Sequence, residues 1–409
     1  MQLTNLVARK ILNSRKEATI EVIAETSGKR VFASAPSGKS KGKNEVQDVS
    51  TRGIDFSITF LNEIGRKLVN EKIEFETFED LAKVEEIIRG YDRTERLEFA
   101  GGNALYALEA AILKAIAASQ ELELWKFLLG DKKAVMPRPL GNCIGGGMHI
   151  DQPRKTDFQE FLLIPKAKKF FDCNFAMQWA YKEAQKMLKE KDAGWQGQLN
   201  DENALAATLD NESVLELLQE LREKVKAQLD IELELGIDAA ASSFWKQNSY
   251  VYKNFSKDEK GKKLGEEAQI DYISGIIEKY DLAYVEDPLN QEAFEAFAKL
   301  HSMTGALICG DDLTCTHLDR VKMAIDKKSI NAIIIKPNQI GSLLETKKVV
   351  ELAKQNDITP IISHRSGETE DDFIADLAVG WQIPFIKAGI AGKERLAKLN
   401  RLLKIEKEL

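Results

Sequence analysis

The run LGID (235–238) is the first of six short apolar segments that each end on a polar or charged side chain. The other five are AYVE (283–286), LICGD (307–311), AIIIK (332–336), PIISH (360–364) and PFIK (384–387). Between them, apolar residues recur three and four positions apart, which is the spacing of an amphipathic helix. The sequence therefore predicts strands that alternate with helices in repeated βα units.

The length of these units favours a closed barrel. After a longer first gap, the terminal residues lie 25, 25, 28 and 23 positions apart, close to the roughly 31 residues per unit of an eight-stranded (β/α) barrel. A doubly wound sheet is the competing fold, but many strand ends converge on one point only when a sheet closes into a ring. We therefore expect the six terminal side chains around one mouth. The polar segment 253–263 predicts a hairpin tip outside the barrel.

The first third of the chain predicts a smaller domain of its own. Residues 19–26 are rich in β-branched side chains, which is typical of a strand. Helical spacing follows over residues 56–68, 78–89 and 104–118. Between residues 130 and 139, a glycine, several charged residues and two prolines interrupt both the helical and the strand spacing. We predict an α+β capping domain over residues 1–132 and a barrel that carries the active site over residues 133–409.

Composition and charge exclude several classes of protein. The 409 residues include 44% hydrophobic and 30% charged side chains, which is ordinary for a globular protein. With 58 basic and 65 acidic side chains the net charge is -7, so neither nucleic acid nor an anionic membrane is an expected partner. The four cysteines lack a paired spacing, and no apolar stretch reaches the ~18 residues of a membrane span. We expect a soluble, cytoplasmic protein with reduced thiols.

Three of the six runs end on carboxylates, at Asp238, Glu286 and Asp311. One acidic residue at a strand end is usually a helix cap or a solvated charge, but three in successive units would repel each other without a cation. Carboxylate oxygens are hard ligands of the kind that hold Mg²⁺. The sequence therefore predicts a magnesium site at the mouth of the barrel.

Two other runs end on lysines, Lys336 and Lys387. Their apolar neighbours place both side-chain stems in low-dielectric surroundings, which predicts a lowered pKa for the amines. Such a lysine can act as a general base and remove a proton next to a metal-bound carboxylate. The alternative is a salt bridge to a neighbouring barrel acid, and both interpretations stay open.

The remaining run leads into His364-Arg365-Ser366-Gly367-Glu368, ahead of a predicted helix. Imidazole, guanidinium, hydroxyl and backbone donors together predict an anion site, because the planar fork of arginine matches phosphate and carboxylate. The alternative is a capping loop in which Glu368 and Asp371 neutralise Arg365.

Two glycine-containing stretches carry weaker signals. Ser37-Gly38-Lys39-Ser40 contains Gly-Lys-Ser, but Ala33 stands five positions before Gly38, so the GxxxxGK[ST] pattern of NTPases fails. Gly145-Gly146-Gly147 lacks the GxGxxG spacing of dinucleotide sites. Its flexibility next to His149 is more typical of a closing loop.

The whole chain resembles the enolase (phosphopyruvate hydratase) family, as a divergent member. The most specific stretch is Ser363-His-Arg-Ser-Gly-Glu-Thr-Glu370, followed by Ile374-Ala-Asp-Leu-Ala-Val-Gly380. The other matching motifs are Gln159-Glu-Phe161, Glu286-Asp-Pro288, Gly310-Asp-Asp-Leu313, Ile335-Lys-Pro-Asn-Gln-Ile-Gly341 and Leu402-Leu-Lys-Ile-Glu-Lys-Glu-Leu409. The resemblance implies an α+β domain joined to an enolase-type barrel whose first units are irregular.

The resemblance also implies a reaction, the reversible dehydration of 2-phosphoglycerate to phosphoenolpyruvate in glycolysis and gluconeogenesis. The implied substrate is a small phosphorylated three-carbon acid. Two Mg²⁺ ions per active site are implied. Asp238, Glu286 and Asp311 would bind the first, and Ser40 would help to capture the second. Lys336 would remove the C2 proton, with the metals on the substrate carboxylate stabilising the resulting enediolate, a pattern described for the enolase superfamily.

Further roles are implied in the same way. Glu202 would protonate the departing C3 hydroxyl group, and Glu160 would tune or position that acid. Arg365 and Ser366 would hold the phosphate, and Lys387 the carboxylate end. The other implied contacts are Gln159, on the substrate, and His149 and His364, which assist closure and substrate contact. A homodimer or higher homo-oligomer is implied by the resemblance alone.

The chain departs from the family pattern at four places. The family's Gly-Asp-Glu-Gly-Gly loop reads Asn200-Asp201-Glu202-Asn203-Ala204, which predicts an altered backbone around Glu202. The early Asp-Ser-Arg-Gly-Asn-Pro motif reads Asn13-Ser14-Arg15-Lys16-Glu17-Ala18, and Ser-Glu-Phe reads Ser242-Ser243-Phe244. Lys39 and Lys41 stand where the family normally has alanine and threonine.

Two alternatives to a working enolase stay open at this point. One is a lyase or racemase of the enolase superfamily that acts on another carboxylate substrate, against which the Ser-His-Arg-Ser-Gly anion site argues. The other is a catalytically idle enolase-like binding protein, for which the altered Glu202 loop is the only feature in favour.

Overall fold

A computed structural model describes residues 1–39 and 41–409, so the predicted metal ligand Ser40 lies outside the described residues. The strands are β1 (Asn5–Leu12), β2 (Ala18–Thr26), β3 (Lys29–Ser34), β4 (Arg138–Gly145), β5 (Glu160–Lys166), β6 (Glu232–Asp238), β7 (Trp245–Lys246), β8 (Ser249–Tyr252), β9 (Lys262–Leu264), β10 (Leu282–Glu286), β11 (Leu307–Gly310), β12 (Ala332–Ile335), β13 (Thr359–Ser363) and β14 (Phe385–Lys387). The helices are α1 (Ile54–Asn70), α2 (Leu81–Tyr91), α3 (Gly102–Ser119), α4 (Leu124–Leu129), α5 (Phe170–Lys191), α6 (Asn211–Leu229), α7 (Glu266–Tyr280), α8 (Phe294–Met303), α9 (Leu318–Lys327), α10 (Pro337–Ile340), α11 (Leu343–Gln355), α12 (Phe373–Gly380) and α13 (Lys393–Glu406).

The N-terminal part is an antiparallel sheet covered by helices. Strands β1, β2 and β3 pair in that order, and α1 packs on β1. Helix α3 packs on β2 and β3, and almost every side chain from Gly102 to Ala117 is buried. A helix that is apolar all round is a core element rather than a surface one. The predicted strand at 19–26 and the predicted helices at 56–68 and 104–118 are confirmed.

The rest of the chain closes into a barrel of eight strands, in the order β10-β11-β12-β13-β14-β4-β5-β6. The predicted barrel is therefore confirmed, and the doubly wound sheet is excluded. Only β5 runs antiparallel to its neighbours β4 and β6. The ring closes where β14 pairs with β4, joining the two ends of the barrel sequence.

The antiparallel strand changes which of its residues reaches the mouth. In parallel strands the mouth receives the C-terminal residue, whereas in β5 it receives the first residue, Glu160. The register shows this directly, because Glu160 lies opposite Asp238 at the end of β6 and opposite Gly145 at the end of β4.

The long interval between β6 and β10 leaves the barrel as predicted. Strands β7, β8 and β9 form a small antiparallel sheet, and the polar residues 253–261 join β8 to β9 at its exposed end. All four cysteines are buried and unbonded. None of the described helices is long and apolar enough to cross a membrane.

Candidate active site

Strand alternation places the six terminal side chains at the mouth. Side chains two apart on a strand share a face, and Ile334 lies in the apolar cluster inside the barrel whereas Ile333 and Ile335 lie in the outer core against the helices. Lys336 therefore continues the inner face of β12. By the same alternation, Asp311 lies on the same face as Cys309, and Glu286 on the same face as Tyr284.

Most of the predicted site residues line one cavity at the mouth of the barrel. They are His149, Gln159, Glu160, Glu202, Asp238, Asp311, Lys336, His364, Arg365, Ser366 and Lys387. Glu286 is absent from this lining but contacts Lys387 just below it. The predicted convergence on one mouth is confirmed as geometry, while the chemical roles of these residues stay predictions.

Lys387 lies at the centre of a carboxylate cluster. Its Nζ is 2.7 Å from Glu286 Oε2, 3.1 Å from Glu160 Oε2 and 3.2 Å from Asp238 Oδ2, and all four side chains are buried. Burial alone would lower the pKa of Lys387, but the three carboxylates outweigh it and hold that pKa well above its usual range. The prediction of a lowered pKa is wrong for this lysine in the structure.

Lys336 is also paired, with Asp311. Burial disfavours its ammonium form, but the adjacent Asp311 carboxylate raises the pKa of Lys336 above its usual value. The prediction of a lowered pKa is wrong here too, because an apolar run in the sequence does not reveal a contacting acid. Asp311 Oδ1 accepts a second hydrogen bond, from Gln339 Nε2 at 2.9 Å.

Among the described residues, two groups of three side chains lie close enough together to hold a metal ion. The ligand atoms of His149, Glu160 and Glu202 lie within 4.8 Å of one another, as do those of Asp287, Asp311 and Asp312. The predicted trio is thus not one such group, because Lys387 lies between Asp238 and Glu286, and Lys336 pairs with Asp311.

Glu202 and Glu160 form an acidic pair with opposite pKa shifts. Glu202 accepts a hydrogen bond from Asn142 Nδ2 at 2.9 Å, and the imidazoles of His149 and His364 lie 3.5 and 3.7 Å from its oxygens. Burial would raise the pKa of Glu202, but the two histidines, the charge of Arg395 and the Asn142 hydrogen bond lower it below the usual range. Burial and then the charge of Glu202 raise the pKa of Glu160. Glu160 therefore keeps a proton more readily than Glu202.

Arg365 is neutralised from the N-terminal domain. Its Nη2 donates to both carboxylate oxygens of Glu45, at 2.9 and 3.1 Å, and its Nη1 donates to Asn338 Oδ1 at 3.0 Å. Glu368 instead pairs with Lys398, and Asp371 with Lys114. The alternative in which Glu368 and Asp371 neutralise Arg365 is therefore wrong.

Two family models match almost the whole chain: Enolase, N-terminal domain, over residues 3–128, and Enolase, C-terminal TIM barrel domain, over residues 133–409. The enolase of Methanothermobacter thermautotrophicus is 40% identical over 408 residues, covering 98% of this chain and 95% of that protein. The enolase of Methanosphaera stadtmanae is 40% identical over 406 residues, covering 98% and 96%. That of Archaeoglobus fulgidus is 37% identical over 399 residues, covering 97% and 95%.

The chain belongs to the enolase family. The resemblance found in the motifs is confirmed, and the relatives support enolase function, that of a lyase, for this chain.

The loop that departs most from the enolase pattern still places Glu202 in the cavity. Asn203 takes the left-handed backbone conformation, with φ 63°, that a glycine adopts readily. Asn200 Oδ1 accepts from the backbone N–H groups of Glu202 and Ala204, both at 2.9 Å. The Tyr181 hydroxyl donates to the Asn203 carbonyl at 2.7 Å. Side-chain hydrogen bonds thus fix a loop that the family usually builds with glycines.

We expect Asn203→Val to destabilise the protein by about 1–3 kcal/mol, because a β-branched residue tolerates a positive φ poorly. Asn203→Gly should stay close to the wild type, since glycine accepts the same backbone. Urea unfolding of both variants measures the difference. Equal stability of the valine variant and the wild type would contradict the argument.

Several contacts of the site were missed from the sequence. Glu45, the partner of Arg365, lies in irregular chain without any pattern to single it out. Arg395 donates to the carbonyls of Arg365 and Ser366. Asn142, which donates to Glu202, lies on the inner face of β4 and carries no motif. Only Arg15, whose Nη1 donates to Ser366 Oγ at 2.7 Å, belongs to a stretch that the family pattern marks.

Proposed function

We propose that this enolase family member catalyses the reversible dehydration of 2-phosphoglycerate to phosphoenolpyruvate. The observation that carries the proposal is that a lysine and a glutamate pair face each other across one cavity. Lys336 follows β12, and Glu160 begins β5, four places further round the ring of eight strands. Proton removal at one carbon and protonation of a leaving group at the next need a base and an acid on opposite sides of a substrate.

The donor set fits a hard divalent cation. Asp238, Glu286 and Asp311 are at most 9% exposed, and Glu286 Oε1 has no hydrogen-bond partner among the described residues. Two lysines contact these carboxylates: Lys336 pairs with Asp311, and Lys387 pairs with Asp238 and Glu286. We propose that the three residues hold Mg²⁺. When bound, Mg²⁺ supplies the positive charge that favours loss of a proton next to the substrate carboxylate.

Lys336 is the proposed base. Its amine can accept the C2 proton only when neutral, so its pairing with Asp311 has to be relieved. Asp311 would serve a bound cation instead of the lysine. Lys336 would therefore act as a base only when a cation is bound at the site.

Glu202 and Glu160 are the residues proposed to protonate the leaving hydroxyl group. Glu160 keeps a proton more readily than Glu202, and the two imidazoles of His149 and His364 lie against Glu202. We propose that Glu202 delivers a proton to the departing C3 hydroxyl group and that Glu160 positions and supplies it.

Arg365, Ser366 and Lys387 are the proposed anchors for the two anionic ends of the substrate. Arg365 and Ser366 form one edge of the cavity and offer a guanidinium and a hydroxyl to the phosphate. Lys387, with Gln159 beside Asp238, would hold the carboxylate end. The direct test is the ultraviolet absorbance of phosphoenolpyruvate after adding 2-phosphoglycerate and Mg²⁺. Absence of turnover from a folded, Mg²⁺-binding protein would refute the proposal.

Without metal, we expect the melting temperature Tm to fall as the pH rises from about 5 to about 8. Burial and the neighbouring Asp238 raise the pKa of Glu286 from 4.5 to about 7. The folded chain then binds more protons than the unfolded chain between these values, so stability is lost as the pH rises through the folded pKa. Mg²⁺ should raise Tm by several degrees at pH 8 and much less at pH 5.

Glu286→Gln is the matched variant for this experiment, measured by thermal melts at both pH values with and without Mg²⁺. It should flatten the pH dependence and remove most of the gain from Mg²⁺. The same Mg²⁺ gain in wild type and variant would argue against Glu286 as a ligand.

A further inference from the structure

The residues around Ser366 carry more positive than negative charge. Arg15 donates to Ser366 Oγ from its guanidinium, and Lys39 from its backbone N–H at 2.9 Å. Arg365 precedes Ser366, and Arg395 Nη2 donates to the Ser366 carbonyl at 2.7 Å. Four cationic residues therefore meet at one serine.

Three of these four cations have a carboxylate partner. The pairs are Arg15 with Glu17, Lys39 with Asp201, and Arg365 with Glu45. Arg395 has none: among residues 1–39 and 41–409, no carboxylate oxygen lies within 4.0 Å of its guanidinium. Arg395 is nevertheless the most deeply buried of the four, with 0% of its surface exposed.

The contacts of Arg395 are all with neutral groups. Its Nη2 also donates to the Arg365 carbonyl at 3.3 Å, and its Nη1 donates to Ser14 Oγ at 3.2 Å. Its Nε is buried without a hydrogen-bond partner in the described part of the chain. Gly389 makes room for the side chain, because a Cβ there would lie 2.7 Å from Arg395 Cγ.

A buried charge is costly unless an opposite charge compensates it. Carbonyl hydrogen bonds offset part of that cost for Arg395, and its charge also acts at longer range on Glu202, whose pKa it helps to lower. No carboxylate among the described residues contacts its guanidinium directly. The adjacent residues, Arg365 and Ser366, are those proposed above to hold the substrate phosphate. An incoming phosphate would bring negative charge closer to Arg395 than any carboxylate of the described residues.

We propose that Arg395 is a positioning residue of the anion site, which fixes the backbone of Arg365 and Ser366 and lends its unpaired charge to phosphate binding. The inference rests on the proposed function for the location of the phosphate. It adds a residue on α13 that touches neither the phosphate nor the reacting carbons.

The test is calorimetric titration of the full-length, Mg²⁺-loaded protein with inorganic phosphate. Arg395→Gln removes the charge, and Arg395→Lys keeps it. We expect the Kd for phosphate to rise about tenfold or more in Arg395→Gln and to stay within about threefold of wild type in Arg395→Lys. Arg401→Gln is the matched control, because Arg401 lies on the same helix but pairs with Asp376 and Glu123. It should lower Tm and leave the Kd unchanged.

An unchanged Kd in Arg395→Gln would overturn the inference, as would an equal loss in Arg395→Lys and Arg395→Gln. If Arg395→Gln fails to fold, Arg395→Lys decides: a Kd within about threefold of wild type supports the role of the charge, and a tenfold loss refutes it. Wild type that binds no phosphate would also overturn it. Turnover of 2-phosphoglycerate is measured separately, so a protein that binds phosphate through Arg395 without turnover would refute only the proposed function.

Discussion

Lys336→Ala should lower kcat for 2-phosphoglycerate by a factor of about 10³ to 10⁴, the upper part of the range for loss of a general base. Lys336 is the cavity lysine on the inner face of β12, and it reaches the mouth through the alternation set by Ile334. Alanine leaves Asp311 without its ammonium partner. Binding of Mg²⁺ should therefore be kept or strengthened while proton removal is lost.

Two measurements separate these effects. Exchange of the C2 hydrogen of 2-phosphoglycerate in D₂O, followed by NMR, should disappear in Lys336→Ala. The rise of Tm with Mg²⁺ should persist. Lys393→Ala is a suitable control because Lys393 is 71% exposed and pairs only with Glu370 at the surface. Exchange at the wild-type rate in Lys336→Ala would assign the base to another residue.

Glu202→Gln should lower the rate of dehydration by a factor of about 10² to 10³ but leave C2 exchange in place. The amide keeps the size and the Asn142 contact of the side chain and cannot donate an acidic proton to the leaving hydroxyl group. Loss of dehydration with retained exchange would therefore divide the reaction between Lys336 and Glu202.

Asp201→Asn is the control for this second variant, because Asp201 is the neighbouring acid and pairs with Lys39 near the surface. An ion pair of that exposure contributes only about 0.2–1 kcal/mol, so we expect less than about a fivefold change in kcat. If Glu202→Gln loses exchange and dehydration together, Glu202 acts in binding or in proton removal, and the division of roles is wrong.

The regular part of the barrel was predictable because each of its strands is short, apolar and ends in a polar residue. Successive side chains of a strand point to opposite faces, so the sequence AIIIK (332–336) alone identifies the residues on the inner face and the residue at the mouth. The same reasoning identified Asp238 and Glu286. It failed for β4 and β5, because β4 contains proline, two glycines and asparagine, and nothing in Glu160–Lys166 signals an antiparallel direction.

Distances between elements were not predictable in this way. The raised pKa values of Lys336 and Lys387 follow from carboxylates that come from other strands, and their approach depends on how the ring closes. The Glu45 partner of Arg365 comes from irregular chain 320 positions earlier. The conformation of Asn203 shows a third limit, since a family pattern marks the lost glycine but not the hydrogen bonds that replace it.

Closure of the ring between β4 and β14 has a consequence for biosynthesis. Ile386 pairs with Pro139, 247 positions earlier, so the first barrel strand leaves the ribosome long before its last neighbour exists. Until then β4 presents an open edge, which invites pairing with other chains. We expect nascent chains that end before Phe385 to depend on chaperones, and the N-terminal sheet, whose strands are neighbours in sequence, to fold first.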